Sequence, residues 1–441
     1  MRLLDTGTKY FDINSYNVPK LDNTWGCMID FFDTVLVNGS ESQEILSITV
    51  QEDLKYPELY WIATLTVNPG HGFKENCSVI KISESSSPDY NNIFRVQEVT
   101  DNTLNIAFSK TEYPIKPSTV DYTFGMTLTL PPLGYEKVFS GEQKAVYKVT
   151  TKEDKYCYLR VDNSCPEGHD PSWAKFSRLS MLSEIDSIED YRFRLGRSKA
   201  PAYLDDYNRT EENIYDVWFS TRYYESRYFY FQRAPNRPTQ KFYMLAGDSE
   251  TFYLMIDSLR DYSNTTQEDN TYVFGKYTKL IYKEDSLPFL LRCSRRDSET
   301  SANFVDYANY ASLTRDRTIG RHTFKTEVED IFTTSTSQSW ALWLNDSFHS
   351  GVNTRVNFKP YKNELNINLV DMNLRFYRDS NVVLEGRLRG LKHIIGNLQD
   401  FPAKAPKHYS IFLQDNKHYI RVPDGDYYEQ ASYALLLNDW E

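Results

Sequence analysis

Three stretches of the chain each set two runs of aromatic and β-branched residues on either side of a few turn-forming residues. A sequence built from such units is committed to antiparallel β-sheet. The first runs Lys144–Val149, crosses a Thr-Lys-Glu-Asp turn region and returns over Tyr156–Val161. The second runs Lys241–Leu245, turns at Gly247 and Asp248, and returns over Thr251–Ile256. The third runs Tyr409–Leu413, turns at Asp415 and Asn416, and returns over His418–Val422. Shorter strands are expected at Trp61–Val67, Ser78–Ile82, Phe94–Val99, Leu104–Phe108, Thr123–Leu130, Tyr228–Gln232, Thr354–Phe358 and Asn366–Tyr377.

Helical spacing is scarce. Trp25–Phe32 has apolar residues placed for one short helix, with Asn23 or Thr24 able to cap it. A second helix is expected over Ser172–Met181 with Ser183–Tyr191, and a third over Asp306–Leu313. The fold class is therefore mainly β, as several β-sandwich-like or barrel-like domains with a few short helices. Aromatic residues make up 15% of the 441 positions, including 34 tyrosines, a bias that suits half-buried strands and subunit interfaces.

Length suggests roughly two to four domains. Pro131-Pro132-Leu133-Gly134 breaks a strand, and the charged run Ser294–Thr300 reads as a solvated linker. These divide the chain into an N-terminal segment, 1–135, with the short helix and a β module; a middle β domain, 136–293; and a C-terminal β domain, 294–441. No fixed repeat period marks a solenoid.

The net charge of −11 disfavours a nucleic-acid binder, because acidic surfaces repel phosphate. No apolar run approaches the ~18 residues of a membrane span, and the first residues lack the apolar core of a secretory leader. Membrane insertion is therefore not expected, and the chain is expected to remain in the cytoplasm of the cell that makes it.

No catalytic, cofactor-binding or metal-ligating residue is proposed. The glycine-rich phosphate loops, serine elbows and paired-histidine zinc motifs are absent from the sequence. Five widely spaced cysteines (Cys27, Cys77, Cys157, Cys165, Cys293) read as reduced core residues. The group Cys157, Cys165 and His169 lacks the paired cysteines that would complete a zinc set. His71, between Gly70 and Gly72, reads as part of a tight turn with its imidazole bonded to backbone rather than as a catalytic group. Asp205-Asp206 and the calcium-loop-like Asp424-Gly425-Asp426 read as solvated acidic loops. The aromatic group Tyr223, Tyr224 and Tyr228–Phe231 suits sugar stacking or a strand at a subunit interface, and the interface is preferred.

One ordered series of segments resembles a known family. Pro69-Gly70-His71-Gly72-Phe73 leads into Cys77–Ile82, then Tyr90–Val96 and Val99–Leu104. Upstream lies Trp25–Gly39; downstream lie Pro131–Gly141, Ala145–Lys148 and Arg160–Asn163. Order and spacing are similar to the β module, PLGWEK.FSG-like segment and following strands of tailed-bacteriophage structural proteins. Arg387–Leu391, Tyr419–Val422 and Asp439-Trp440 resemble that family's closing β unit. Asn91-Asn92 replaces the usual Asn-Gly turn, and Tyr135 replaces the tryptophan.

The resemblance implies a non-enzymatic virion structural protein, a tail, baseplate or head–tail assembly component that binds neighbouring virion subunits. It transfers no catalytic residue. The implied partners are other virion proteins and further copies of the chain in a cyclic homo-oligomer, threefold or sixfold, without direct nucleic-acid binding. The implied location is the virion, assembled in the host bacterial cytoplasm. The alternative is a receptor- or carbohydrate-binding tail protein that contacts the host surface.

Overall fold

The computed structural model describes residues 2–21, 24–120, 125–152, 156–164, 176–182, 185–188, 196–197, 217–220, 242–257, 270–279, 289–294, 323–324, 342–344, 368–378, 381–395, 410–423 and 432–440. The fold is mainly β, in several antiparallel sheets, one of them closed into a six-stranded barrel.

After a short strand, β1 (Lys9–Asp12), the chain forms helix α1 (Cys27–Phe32), which continues as a π-helical turn over Asp33–Asn38. The barrel follows: β2 (Gln43–Glu52), β3 (Tyr60–Val67), β4 (Val79–Ser83), β5 (Ile93–Val99), β6 (Thr103–Ser109) and β7 (Thr127–Thr129). Its order is β2-β3-β6-β5-β4-β7, with β7 closing on β2. A bulge in β2 sets which residues face inward. The register with β3 shifts between Ile45 and Ser47, so Gln43 and Ile45 are buried on one phase and Ile48 and Val50 on the other. Side chains alternate with period two, so one inserted residue is needed to change phase, and it leaves Leu46 exposed. Within the barrel region, Phe108 packs edge-on against Tyr90 and Tyr113, at 5.7 and 4.8 Å between ring centres.

A second sheet has the order β13-β11-β10-β9-β8. It comprises β8 (Glu136–Gly141), β9 (Lys144–Thr150), β10 (Tyr156–Asp162), β11 (Phe176–Leu182) and, beyond a short β12 (Gly196–Arg197), β13 (Val217–Ser220). The first expected hairpin is β9–β10, with Val149 opposite Cys157. The helix expected over Ser172–Met181 is corrected here. Phe176–Leu182 is a strand paired with β10, Leu179 opposite Val161. The open edge of β10 supplies backbone partners that outweigh the weak local helical pattern, and Leu179 is buried.

The second hairpin is β14 (Phe242–Gly247) and β15 (Thr251–Asp257), extended by β16 (Asn270–Lys276) and, past the short β17 (Thr278–Lys279), by β18 (Phe289–Ser294). The fifth strand of this sheet is β1, from the opposite end of the sequence, with Phe11 opposite Leu245. Beyond β19 (Thr323–Phe324), which pairs with β12, a seven-stranded sheet contains β20 (Leu342–Leu344), β21 (Asn368–Arg378), β22 (Asn381–Ile395), β23 (Ile411–Gln414), β24 (Lys417–Pro423) and β25 (Ser432–Leu436), with β17 paired to β22. The third hairpin is β23–β24. Its Asp415 and Asn416 both take positive φ, 51° and 60°, as a two-residue twisted turn requires. Of the expected strand at Thr123–Leu130, residues 123–124 lie outside the described residues and the strand is Thr127–Thr129; the one near Asn366 is β21. The expected strands at 228–232 and 354–358 and the helix at 306–313 lie outside the described residues.

Helix α1 lies between two sheets. Phe31 meets Tyr243 of β14 edge-on at 4.8 Å, and Phe32 meets Tyr147 of β9 at 5.9 Å and Phe252 of β15 at 5.6 Å. Its N-terminus corrects a second expectation: the cap position falls at neither Asn23 nor Thr24. Gly26 occupies the cap position in a left-handed conformation, and the helix is capped from outside by Asn163, just beyond β10. Asn163 Oδ1 accepts from the amides of Gly26 (2.9 Å) and Met28 (3.1 Å). A buried helix start needs acceptors for its first amides, and here a distant side chain provides one. The other end is met by the Pro131–Tyr135 segment: the amides of Leu133, Gly134 and Tyr135 donate to the carbonyls of Val35 and Leu36.

The location expected from the sequence, a virion assembled in the host bacterial cytoplasm, is corrected here. The virion came from the family resemblance, and the cytoplasm from the absence of an apolar leader and of a spanning run. The structure establishes something narrower: among the described residues no helix is long and apolar enough to cross a membrane. Strands can also cross, so that observation specifies no compartment.

Candidate functional site

The residues singled out by sequence fall into two groups. His71 is buried, and both its ring nitrogens are used: Nε2 lies 2.8 Å from the Thr100 carbonyl and Nδ1 accepts from the Phe73 amide at 3.1 Å. The ring stacks on Phe73 at 5.3 Å. This partner set places the proton on Nε2 and leaves the imidazole no free nitrogen for chemistry. Cys27, Cys77 and Cys157 are buried free thiols. Burial pushes the Cys77 thiol up to about 12 and Cys157 well above its ordinary value, so neither is a nucleophile near neutral pH. Among the described residues no group of three or more His, Cys, Asp and Glu side chains is placed to hold a metal ion. Cys165, His169, Asp205, Asp206, Asp424, Asp426 and the aromatic group from Tyr223 to Phe231 lie outside the described residues.

The site that the fold assembles is a different one. A cleft of about 420 Å³ opens where the N-terminal segment, the barrel wall and the β23–β24 hairpin meet. Three features of the fold create it. The barrel contributes Asp53 just past β2, together with Gln97 and Glu98 on β5. The N-terminal segment lays Arg2 across that wall, and the hairpin brings Leu413 and His418.

Arg2 holds the wall together. Its Nε and Nη2 form a fork on Asp53 (2.9 and 3.3 Å), and Nη1 donates to Glu98 at 2.9 Å. Burial alone would raise the Asp53 carboxyl. The bonds from Arg2 and from the amides of Lys55 and Tyr56 overcome that and hold it below the usual carboxylate range. Those same carboxylates raise the Arg2 guanidinium. Glu98 also accepts from Asn105 Nδ2 at 3.1 Å.

The floor is less complete. Gln97, 1% exposed, donates through Nε2 to the carbonyls of Leu3 (2.7 Å) and Arg95 (3.1 Å), while its Oε1 has no protein partner. His418 is in the same position: its Nδ1 is buried without a protein partner, although its backbone amide is held by Asn438 Oδ1 at 2.8 Å. Burial first, and then nearby positive charge including Arg95, lowers the His418 imidazole below its ordinary value, so it is neutral at pH 7. The cleft is thus walled by a clasped ion cluster, and two of its lining residues, Gln97 and His418, each keep one buried polar atom without a protein partner.

Sequence reasoning passed over this site. Its residues come from positions 2, 53, 97, 98 and 418, and no local pattern connects them. His418 stood out only as one of the strand residues of the third hairpin. Set against known families, the chain matches no family model, and it matches no curated protein.

Proposed function

We propose that the chain is a non-enzymatic structural protein of a tailed bacteriophage, a tail, baseplate or head–tail assembly component that binds neighbouring subunits. One observation carries this reading. The motif residues that look most like chemistry are spent on holding backbone. His71 bonds only to main chain. Gly72 is required because a Cβ there would sit 1.8 Å from the Asn14 carbonyl oxygen. The Pro131–Tyr135 segment closes the π-helical turn that continues α1. Motif residues that serve conformation in this way support a module that works by its shape and surfaces. Assembly would then proceed by burying on the order of 1,000 Å² or more per specific contact, and further copies would be arranged by cyclic symmetry.

The test is peptide mass spectrometry and immunogold labelling of purified particles from the producing culture. The expected result is the chain at a fixed stoichiometry, labelled at one station. Fully infectious particles that lack it would overturn the reading.

A further inference from the structure

We propose that one end of the barrel, formed by the loops over residues 53–59 and 110–116, is the surface through which the chain meets a second copy of itself in a two-fold pair. This rests on the assembly reading and deepens it by naming where copies touch.

The first argument is apolar surface. Among the described residues five large apolar side chains are exposed, and four of them belong to this region. Leu54 and Leu59, on the loop between β2 and β3, are 93% and 51% exposed, and Ile115, on the loop after β6, is 83% exposed. Leu413 borders the same cleft as Leu54. Single surface leucines need no explanation, but a concentration of them marks a contact site. The two loops are also fixed to each other at their base. The Lys110 amide donates to the Leu59 carbonyl at 2.8 Å, and Trp61 Nε1 donates to the Tyr113 carbonyl at 3.0 Å. Lys110 Nζ sits 3.9 Å from the centre of the Trp61 ring and pairs with Glu52 at 2.7 Å. The apolar side chains therefore stand on a pre-formed base, which lowers the ordering cost of a contact.

Charge names the occupant. Glu52 is held by Lys110 and Asp53 by Arg2. That leaves Lys55, Glu58, Glu112 and Lys116 on the two loops, all exposed and without an ion pair among the described residues. These are two cations and two carboxylates. In a two-fold contact, residue i of one copy meets residue j of the other while j meets i, so a surface bearing both signs can pair with itself. The chain as a whole carries a net charge of −11, and most faces of two copies would repel; these loops are balanced. A lipid or nucleic-acid surface is anionic, and Glu58 and Glu112 would be driven against like charge there.

Sedimentation velocity of the full chain across a concentration series decides the matter. The expected result is a reversible monomer–dimer equilibrium with a dissociation constant on the order of 1–100 μM. Leu54→Asp and Ile115→Asp should each weaken it at least about tenfold, and both positions are exposed enough to accept the change without unfolding. Leu46→Asp, at the opposite end of β2 and also exposed, should leave it unmoved. A chain that stays monomeric up to about 100 μM, or a dimer that Leu54→Asp and Ile115→Asp leave intact, would overturn the proposal. So would co-flotation of the chain with phosphatidylglycerol vesicles that Ile115→Asp abolishes, since the occupant would then be a lipid surface. Particle labelling reads the assembly function separately. A chain present in particles at fixed stoichiometry yet monomeric in solution would remove this surface and keep that reading. A pair held by Leu54 and Ile115 in a chain absent from particles would keep the surface and remove its role in assembly.

Discussion

The guanidinium of Arg95, on barrel strand β5, donates to the backbone carbonyl of Leu437 at 2.9 Å, across 342 positions of sequence. The same side chain donates to the carbonyls of Asp5 (2.9 Å), Thr8 (2.7 Å) and Cys77 (2.7 Å). One buried cation thus ties the N-terminal segment, the barrel and the C-terminal segment to a single point. Burial lowers its pKa to about 10, which leaves it charged at neutral pH. Nearby, Asp439 accepts from the Gly7 amide at 2.7 Å and Asn438 donates to Asp5 at 2.8 Å, so the two ends of the chain are also joined directly.

Replacing Arg95 should therefore loosen both ends at once. Arg95→Met leaves four carbonyls, three of them buried, without this donor and should cost about 3 kcal/mol or more. Arg95→Lys should recover only part of this, because a point ammonium cannot span the directions that the guanidinium fork reaches. Urea unfolding midpoints measure the loss. A cost below about 1 kcal/mol for the methionine variant would contradict the clasp.

Removing the outside cap of α1 is a local test. Asn163→Ala takes the acceptor from the amides of Gly26 and Met28 and should cost about 1–2 kcal/mol. Hydrogen exchange at Met28 should accelerate accordingly. Protection unchanged at that amide would show that Asn163 is not its partner.

Two neighbouring glycines separate conformational strain from crowding. Gly70 and Gly72 both have positive φ, 78° and 64°. A Cβ at Gly70 meets nothing within 4 Å, whereas at Gly72 it meets the Asn14 carbonyl oxygen at 1.8 Å. Gly70→Ala should cost only about 1–2 kcal/mol, the price of a left-handed alanine. Gly72→Ala should cost clearly more, since backbone must also move. Equal thermal shifts in the two variants would remove the close approach from the account.

The Arg2–Asp53 pair sets an acid dependence. The folded carboxyl of Asp53 lies below its ordinary value, so its contribution is fully present above the unfolded value, about 3.9, and is lost as pH falls through the lower folded value. Asp53→Asn should be less stable than the parent near pH 6, and the gap should close on acidification. Urea midpoints taken from pH 6 down to pH 2 would expose the pairing as inconsequential if the two curves stayed parallel.

The tertiary structure also shows why some sequence expectations held and others did not. The β9–β10, β14–β15 and β23–β24 hairpins were readable because a turn and its two flanking strands are adjacent in sequence, and each turn carries residues suited to it, as Asp415 and Asn416 do with φ of 51° and 60°. Phe176–Leu182 was misread as helix because its strand character depends on β10, a partner that the local pattern does not contain. The backbone role of His71 was readable because its two glycine neighbours announce a turn.

What the sequence determined by itself was the mainly β class and the placement of its local hairpins, because strand alternation and turn chemistry act over a few residues. Only the tertiary structure decided which strands meet across the chain: β1 against β14, Asn163 over the start of α1, Arg95 beneath Leu437, and Arg2, Gln97 and His418 around one cleft. Those choices follow from the geometry of closing a barrel and burying both ends against it. They satisfy buried amides and carbonyls with groups hundreds of residues away, and no short-range pattern encodes such a match.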